Sequence, residues 1–263
     1  MPVKLARAAA AAAVLFSLAA CHEEAQTHLA RGNVLYNEGL KTHDQAKIDQ
    51  AAAEYQAAAN ADPSISAPWL RLGNLLYDEG KQAQAQAAYQ QATARNPGQE
   101  DAWIGLARTQ SEQGHDAEAR AALGHALDVQ PKNLYARLSR AQLALEDGDV
   151  QAALADAKLA SQIDDRDTSV LYVYGGAMIA AKDYSGAAAA FDRIAQVDPR
   201  SSLADYGRAR LAAAQGKGAE AVAALKALLA RAPGEKTAIA KDPAFASLRD
   251  DPTFRQLAGT SGG

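Results

Sequence analysis

The sequence predicts an all-α chain built as an array of helical hairpins, and three observations predict it. About a quarter of the 263 residues are alanine, the strongest helix former, and aromatics make up only 6%. Prolines recur at Pro63, Pro97, Pro131, Pro199 and Pro233, in gaps of 34, 34, 68 and 34. Gly80, Gly114 and Gly148 keep the same step, and Gly216 lies two steps further on. A fixed period of about 20–50 residues marks stacked repeats, in which each unit buries its apolar face only against the next. The hydrophobic content of 48% excludes global disorder.

The chain opens with an address. Lys4 and Arg7 precede an uninterrupted apolar or small stretch of 13 residues, Ala8 to Ala20. A membrane-spanning helix needs about 20 such residues, so residues 1–20 read as a secretory signal. The end of this stretch, Leu18-Ala19-Ala20-Cys21, resembles the bacterial lipobox. The resemblance implies cleavage before Cys21 and a diacylglycerol on its thiol. Cys21 is the only cysteine, so the chain has no internal disulfide. His22 stands where lipoproteins retained in the inner membrane commonly carry aspartate. The expectation is therefore an envelope protein anchored in the outer membrane and facing the periplasm. Losing Lys4 and Arg7 with the leader would take the formal charge from −4 to −6, a surface that does not attract nucleic acid.

Between the prolines other residues come into phase. Trp69 and Trp103 keep the step of 34, as do Leu72 and Leu106; Ala85, Ala119, Ala153, Ala187 and Ala221 keep it without a break. Tyr89, Leu123, Ala157, Phe191 and Leu225 follow four residues later, one helical turn along the same face. A first helix runs to the glycine, where a left-handed turn costs little. A second helix follows, and the proline ends it. Asp165 stands at the missing proline, in a polar Asp-Asp-Arg-Asp turn.

Trp69, Leu72, Gly73, Ala85, Tyr89, Ala92 and Pro97 together resemble the tetratricopeptide repeat, as do Trp103, Leu106, Ala107, Ala119, Leu123, Ala126 and Pro131. A later repeat offers Tyr174, Gly175, Ala187, Phe191 and Pro199. The resemblance implies an all-α, right-handed α-solenoid of about six such hairpins with a C-terminal helical cap. The array fills 21–233, in units at about 24–63, 64–97, 98–131, 132–165, 166–199 and 200–233. The first unit, carried by Gly32, Ala51, Tyr55, Ala58 and Pro63, has an insertion of about seven residues, Lys41 to Lys47, between its helices. The fourth matches least. Arg137 and Arg140 replace the Trp and Leu, and Ala157 replaces the bulky residue, so a soft joint is expected there. Trp69 and Trp103 are expected in the inter-helix core.

After Pro233 the period stops, and 234–258 reads as a capping segment. Its two Asp-Pro steps, at Asp242 and Asp251, suit helix starts. Phe245, Leu248, Phe254 and Leu257 would cover the last hairpin. Residues 259–263 are expected to be a disordered tail.

Little in the chain suggests catalysis. No two of the five histidines sit at a metal-binding spacing, and no His-Glu-x-x-His occurs. Gly216-Lys217-Gly218 is similar to part of a phosphate loop but lacks its first glycine and its Ser or Thr. Paired carboxylates such as Asp164-Asp165 fall in turns. No metal, no cofactor and no enzymatic activity are expected.

What remains is a binding face. In the family, partner peptides lie in the concave groove lined by the first helices. Matching positions are Asn33, Tyr36 and Asn37; Arg71, Asn74, Tyr77 and Asp78; Arg108, Ser111 and Glu112; Tyr135, Gln142 and Glu146; Tyr172 and Ile179; Tyr206 and Arg210. Tyrosine is a rigid amphipathic anchor, while arginine and asparagine grip backbone or carboxylate. Leu29 and Leu70 replace the lysine of the family's carboxylate clamp, which argues against acidic C-terminal tails as ligands. The reading is a lipid-anchored scaffold that binds a protein or peptide. Its membrane contact is through lipidated Cys21, and its setting is pilus, secretin or exopolysaccharide assembly. An accessory of a periplasmic hydrolase or synthase, or a direct glycan binder, are the alternatives. The partner and the oligomeric state are not legible.

Overall fold

A computed structural model describes the backbone of residues 2–259 and the side chains of residues 19–259. The side chains of residues 1–18, where the signal is expected, and residues 260–263 of the expected tail lie outside the described residues. The helices are α1 (Pro2–Thr42), α2 (Gln45–Ala61), α3 (Ala67–Asp78), α4 (Gln82–Arg95), α5 (Glu100–Glu112), α6 (Asp116–Val129), α7 (Leu134–Glu146), α8 (Val150–Ile163), α9 (Thr168–Ala180), α10 (Tyr184–Val197), α11 (Ser202–Ala214), α12 (Gly218–Arg231), α13 (Lys236–Lys241) and α14 (Pro252–Ala258). Short 3₁₀ turns occupy Pro233–Glu235 and Pro243–Leu248. No strand occurs among the described residues.

The chain divides into two compact units, Met1–Pro131 and Lys132–Gly263. In the first, α1/α2, α3/α4 and α5/α6 are antiparallel hairpins, with α2 packed on α3 and α4 on α5. In the second, α7/α8, α9/α10 and α11/α12 repeat the arrangement. The cap closes this unit: Ile239, Phe245, Leu248 and Phe254 are buried with Leu225 and Leu228, and Leu257 is partly buried against them.

The hairpin turns share one hydrogen-bonding scheme. Lys81 N donates to Leu76 O at 2.8 Å, His115 N to Gln110 O at 2.9 Å, Asp149 N to Ala144 O at 2.8 Å and Lys217 N to Ala212 O at 2.9 Å. Each scheme needs one left-handed residue. Gly80, Gly114, Gly148 and Gly216 supply it at φ of 73–77°. The glycine missing from the fifth repeat is Lys182, which adopts the same conformation at φ 61°. In the first repeat His43 takes the role at φ 55°. The expected insertion, Lys41 to Lys47, is not a loop: α1 runs on to Thr42 and α2 begins at Gln45, so most of it lengthens the two helices.

The in-phase alanines are fully buried, and the two aromatic residues that follow them, Tyr89 and Phe191, are each received by glycines. A Cβ on Gly73 would lie 2.8 Å from the Tyr89 ring, and one on Gly105 only 2.4 Å. Gly175 and Gly207 clasp Phe191 in the same way, at 2.5 and 2.3 Å. Where the central residue shrinks to Ala157, Val173 packs against the same alanine cluster.

One expectation needs correction. Trp69 and Trp103 are half-buried at the edge of the core rather than within it. Trp103 Nε1 donates to Pro97 O at 2.8 Å, and its ring packs on His125 at 4.4 Å; Arg95 covers Trp69 at 5.0 Å. The fourth repeat replaces the missing apolar residues with charge. Arg137 and Arg140 converge on the buried Asp156, which stands in phase with Ala88, Ala122 and Ala190. Three coordinated changes thus replace apolar packing with an ion cluster. The Asp-Asp-Arg-Asp turn is built on its own carboxylates. Asp164 accepts from Arg166 N and Asp167 N, and Asp167 caps α9 through Ser169 N and Val170 N.

Candidate partner-binding faces

In the first unit, tyrosines of successive first helices reach the acid of the next. Tyr36 on α1 donates to Asp78 on α3, and Tyr77 on α3 donates to Glu112 on α5. Gln82 Nε2 also donates to Glu112, at 2.6 Å. The Arg108 guanidinium lies 3.7 Å from the centre of the Tyr77 ring. Burial, then the Asp78 carboxylate, push the Tyr36 hydroxyl far above the ordinary tyrosine range.

Asn33 and Asn74 are only partly available. Asn33 Oδ1 accepts from the buried Tyr55 hydroxyl at 3.0 Å, and Asn74 Oδ1 accepts from Tyr89 at 2.8 Å. Their amides serve first to satisfy phenols that the core encloses. Arg71 is exposed, as are Asn37, Asp78, Arg108 and Glu112; Ser111 is half-buried. The structure therefore brings Tyr77, Arg108 and Glu112 into one cluster and leaves Arg71 in solvent beside Tyr55.

In the second unit, Tyr172, Tyr206 and Arg210 join through a residue that the sequence presented only as a helix start. Asp242 Oδ1 caps the turn at Ala244 N, 2.8 Å away. Its Oδ2 accepts from Tyr206 OH at 3.0 Å and lies 3.5 Å from Arg210 Nε. Arg210 Nη1 donates to Tyr172 OH at 3.1 Å, and the Tyr172 and Tyr206 rings meet edge to face at 6.4 Å. Burial and then Asp242 raise the Tyr206 hydroxyl far above its usual range. Burial disfavours the Arg210 cation, but Tyr172 and Asp242 more than offset it, and its pKa is raised.

Beside this cluster lies a cavity of about 580 Å³. Its walls come from α7 (Gln142, Leu145, Glu146), α9 (Tyr172, Val173, Gly176), α11 (Arg210) and the cap (Asp242, Pro243). Four residues read from the sequence, Gln142, Glu146, Tyr172 and Arg210, meet here; Asp242 and Gly176 were missed. Tyr135 is half exposed at 50%, and Ile179 is partly buried against the Phe191 cluster; neither lines the cavity.

Among the described residues no group of three or more His, Cys, Asp or Glu is placed to hold a metal ion. No described helix is long and apolar enough to cross a membrane.

No curated protein matches the chain. Among solved structures it is similar to a tetratricopeptide repeat protein from Parabacteroides merdae, with 18% identity, a TM-score of 0.65 and coverage of 88% of this chain and 98% of that one. It is similar to Pseudomonas aeruginosa pilF, with 16% identity, a TM-score of 0.61 and coverage of 89% and 100%. It is also similar to YrrB, described as a TPR protein with an unusual peptide-binding site, with 18% identity, a TM-score of 0.58 and coverage of 68% and 92%. These likenesses speak for the fold. Family profiles described as tetratricopeptide repeat match residues 76–143 and 178–249, and a second such profile matches 43–100. With the hairpins, left-handed turns and in-phase core on which those matches rest, the chain belongs to the tetratricopeptide repeat family.

Proposed function

We propose that the chain is a non-enzymatic, lipid-anchored scaffold of the bacterial envelope that holds a protein or peptide partner on its first-helix faces. The repeat fold serves protein–protein interaction; the anchor and the setting are the further steps. The observation that carries the binding role is the Tyr77–Arg108–Glu112 cluster on α3 and α5. Tyrosine and arginine are the residue types that dominate binding hot spots, and Arg108 and Glu112 are exposed. YrrB, which shares the fold, is described by its peptide-binding site.

The anchor rests on Leu18-Ala19-Ala20-Cys21 and on where the fold begins. Cys21 is a free thiol at intermediate exposure. Immediately after it, His22 Nδ1 lies 2.9 Å from Asp62, and Ala25 is fully buried. A chain starting at Cys21 would therefore keep the contacts of its first hairpin. Two or more acyl chains supply the stable attachment that one chain does not. Pilus, secretin or exopolysaccharide assembly is the proposed setting, and the likeness to pilF is its one structural parallel.

Two measurements test this reading. Cys21→Ala should move the protein from the membrane to the soluble fraction, and the wild-type N-terminal peptide should carry acyl mass. Arg108→Ala should weaken capture of the partner by about 1–2 kcal/mol while leaving the melting temperature within a few degrees of wild type. An unacylated wild type refutes the anchor, and undiminished capture refutes the face.

A further inference from the structure

We infer that the cavity of the second unit is a specificity pocket for a cationic side chain of the partner. The inference rests on the scaffold reading and goes beyond it by naming what the partner must present.

One in-phase position of the first helices reads Asn74, Arg108, Gln142, Gly176 and Arg210 at steps of 34. Four of the five carry long or polar side chains, and the fourth carries none. A Cβ built on Gly176 meets nothing within 4 Å. This glycine is therefore not excused by close packing, unlike Gly175 beside it, whose Cβ would lie 2.5 Å from the Phe191 ring. Nor does it sit at a turn, since it lies inside α9, where glycine costs helix stability. What its bareness provides is the open space between Gln142 and Arg210.

The charges around that space decide what enters. Asp242 is committed: Oδ1 to the cap, Oδ2 to Tyr206 and Arg210. Arg210 donates Nη1 to Tyr172, and its charge is balanced by the ion pair with Asp242, although its buried Nε makes no hydrogen bond. Glu146 is not. It accepts only from Gln142 Nε2 at 3.3 Å, and no described lysine or arginine pairs with it. The lining therefore carries one uncompensated negative charge above the apolar side chains of Leu145 and Val173. An arginine or lysine fits that combination, with its methylene stem on the apolar wall and its charged head on Glu146. An acidic side chain would meet Glu146, and a purely apolar one would leave the charge unanswered.

The test uses full-length protein in mild detergent and fluorescein-labelled peptides that differ at one central residue. That residue is arginine, its uncharged isostere citrulline, or glutamate. Wild type should bind the arginine peptide about tenfold or more tighter than either other, as a charge-assisted hydrogen bond requires. Glu146→Gln should erase the arginine preference. Gly176→Leu should plug the pocket and abolish it while melting at or above wild type, since Leu is the better helix former and the space is open. Equal binding of arginine and citrulline, no measurable binding of the arginine peptide, or a preference that survives either substitution overturns the inference. The scaffold reading fails separately. If Gly176→Leu still captures the natural partner, the pocket inference falls and the scaffold stands. If the arginine preference holds but no partner is captured, the reverse is true.

Discussion

Arg140 grips Asp156 with two guanidinium nitrogens, Nε at 2.6 Å from one carboxylate oxygen and Nη2 at 2.8 Å from the other. Arg137 Nη1 adds a third contact at 3.1 Å. The Asp156 side chain is only 6% exposed, so the cluster is a desolvated ionic core where Ala88, Ala122, Ala190 and Ala224 stand in four of the other repeats. Removing one partner of such a pair leaves buried charge unanswered. Asp156→Ala should cost about 3 kcal/mol, read as a lower urea midpoint at unchanged slope. The triple change Arg137→Trp, Arg140→Leu and Asp156→Ala, which removes all three charges and restores the residue types of the third repeat (Trp103, Leu106, Ala122), should recover most of that loss. If Asp156→Ala melts like wild type, the cluster contributes nothing to stability.

Lys182 offers a cheaper gain. Its φ of 61° is one that a residue with a Cβ rarely adopts, and four sister turns fill the position with glycine. Lys182→Gly should stabilise the protein by about 0.5–1 kcal/mol, because relief of the left-handed strain outweighs the extra freedom of the unfolded chain. Gly148→Lys, the reverse change at a matching turn, should destabilise by a similar amount. The pair can be compared in one set of thermal melts, and a lower melting temperature for Lys182→Gly would refute the strain.

The two tryptophans separate by their hydrogen bonds. Trp103 Nε1 finds Pro97 O, but Trp69 Nε1 is buried without a partner. The matching carbonyl, Pro63 O, is taken by Arg95 Nε at 2.6 Å, while Val129 holds the Arg95 position in the next repeat. Both rings are half-buried, so truncation should fall below the 3–5 kcal/mol of a full core aromatic. Trp69→Ala should cost about 2 kcal/mol, and Trp103→Ala about 1 kcal/mol more for its hydrogen bond. Equal losses would mean that the indole bond carries no weight.

How much of this was legible follows from what a period can encode. Phase gives the face of a helix that a residue occupies, so the hairpins, the buried alanines and Tyr89, Leu123, Phe191 and Leu225 were readable. Phase does not give depth. Trp69 and Trp103 are in register with the core yet lie at its margin. Compensation between units was hidden as well. Gly105 and Gly207 matter only because a neighbouring repeat pushes an aromatic ring at them, and Asp156 only because two arginines face it. In the binding faces, Tyr172 and Arg210 were found by matching positions. Asp242 was not, because its segment lies after the period stops and its Asp-Pro step was sufficiently explained as a cap. Gly176 escaped notice because a missing side chain leaves no signal until its surroundings are known.

Tyrosine ionisation should set the alkaline limit of the fold. Burial raises the pKa of Tyr55 and of Tyr89, and burial together with a carboxylate partner raises that of Tyr36 and of Tyr206. A raised folded-state pKa means that the native structure prefers the neutral phenol. The associated stability is fully present below the unfolded pKa of about 10 and is lost as pH rises through the folded value. The geometry gives the reason. Each hydroxyl donates to an oxygen, of Asn33, Asn74, Asp78 or Asp242, and a phenolate would face that oxygen with no proton between them. The urea midpoint should therefore stay level from pH 7 to about 9.5 and fall steeply beyond about 10. Absorbance near 295 nm should show phenolate appearing together with unfolding rather than before it. The decisive comparison is Tyr55→Phe with Tyr89→Phe, which cannot ionise and should shift the alkaline fall to higher pH. A fall that keeps its position in that double variant would refute the assignment to these two phenols.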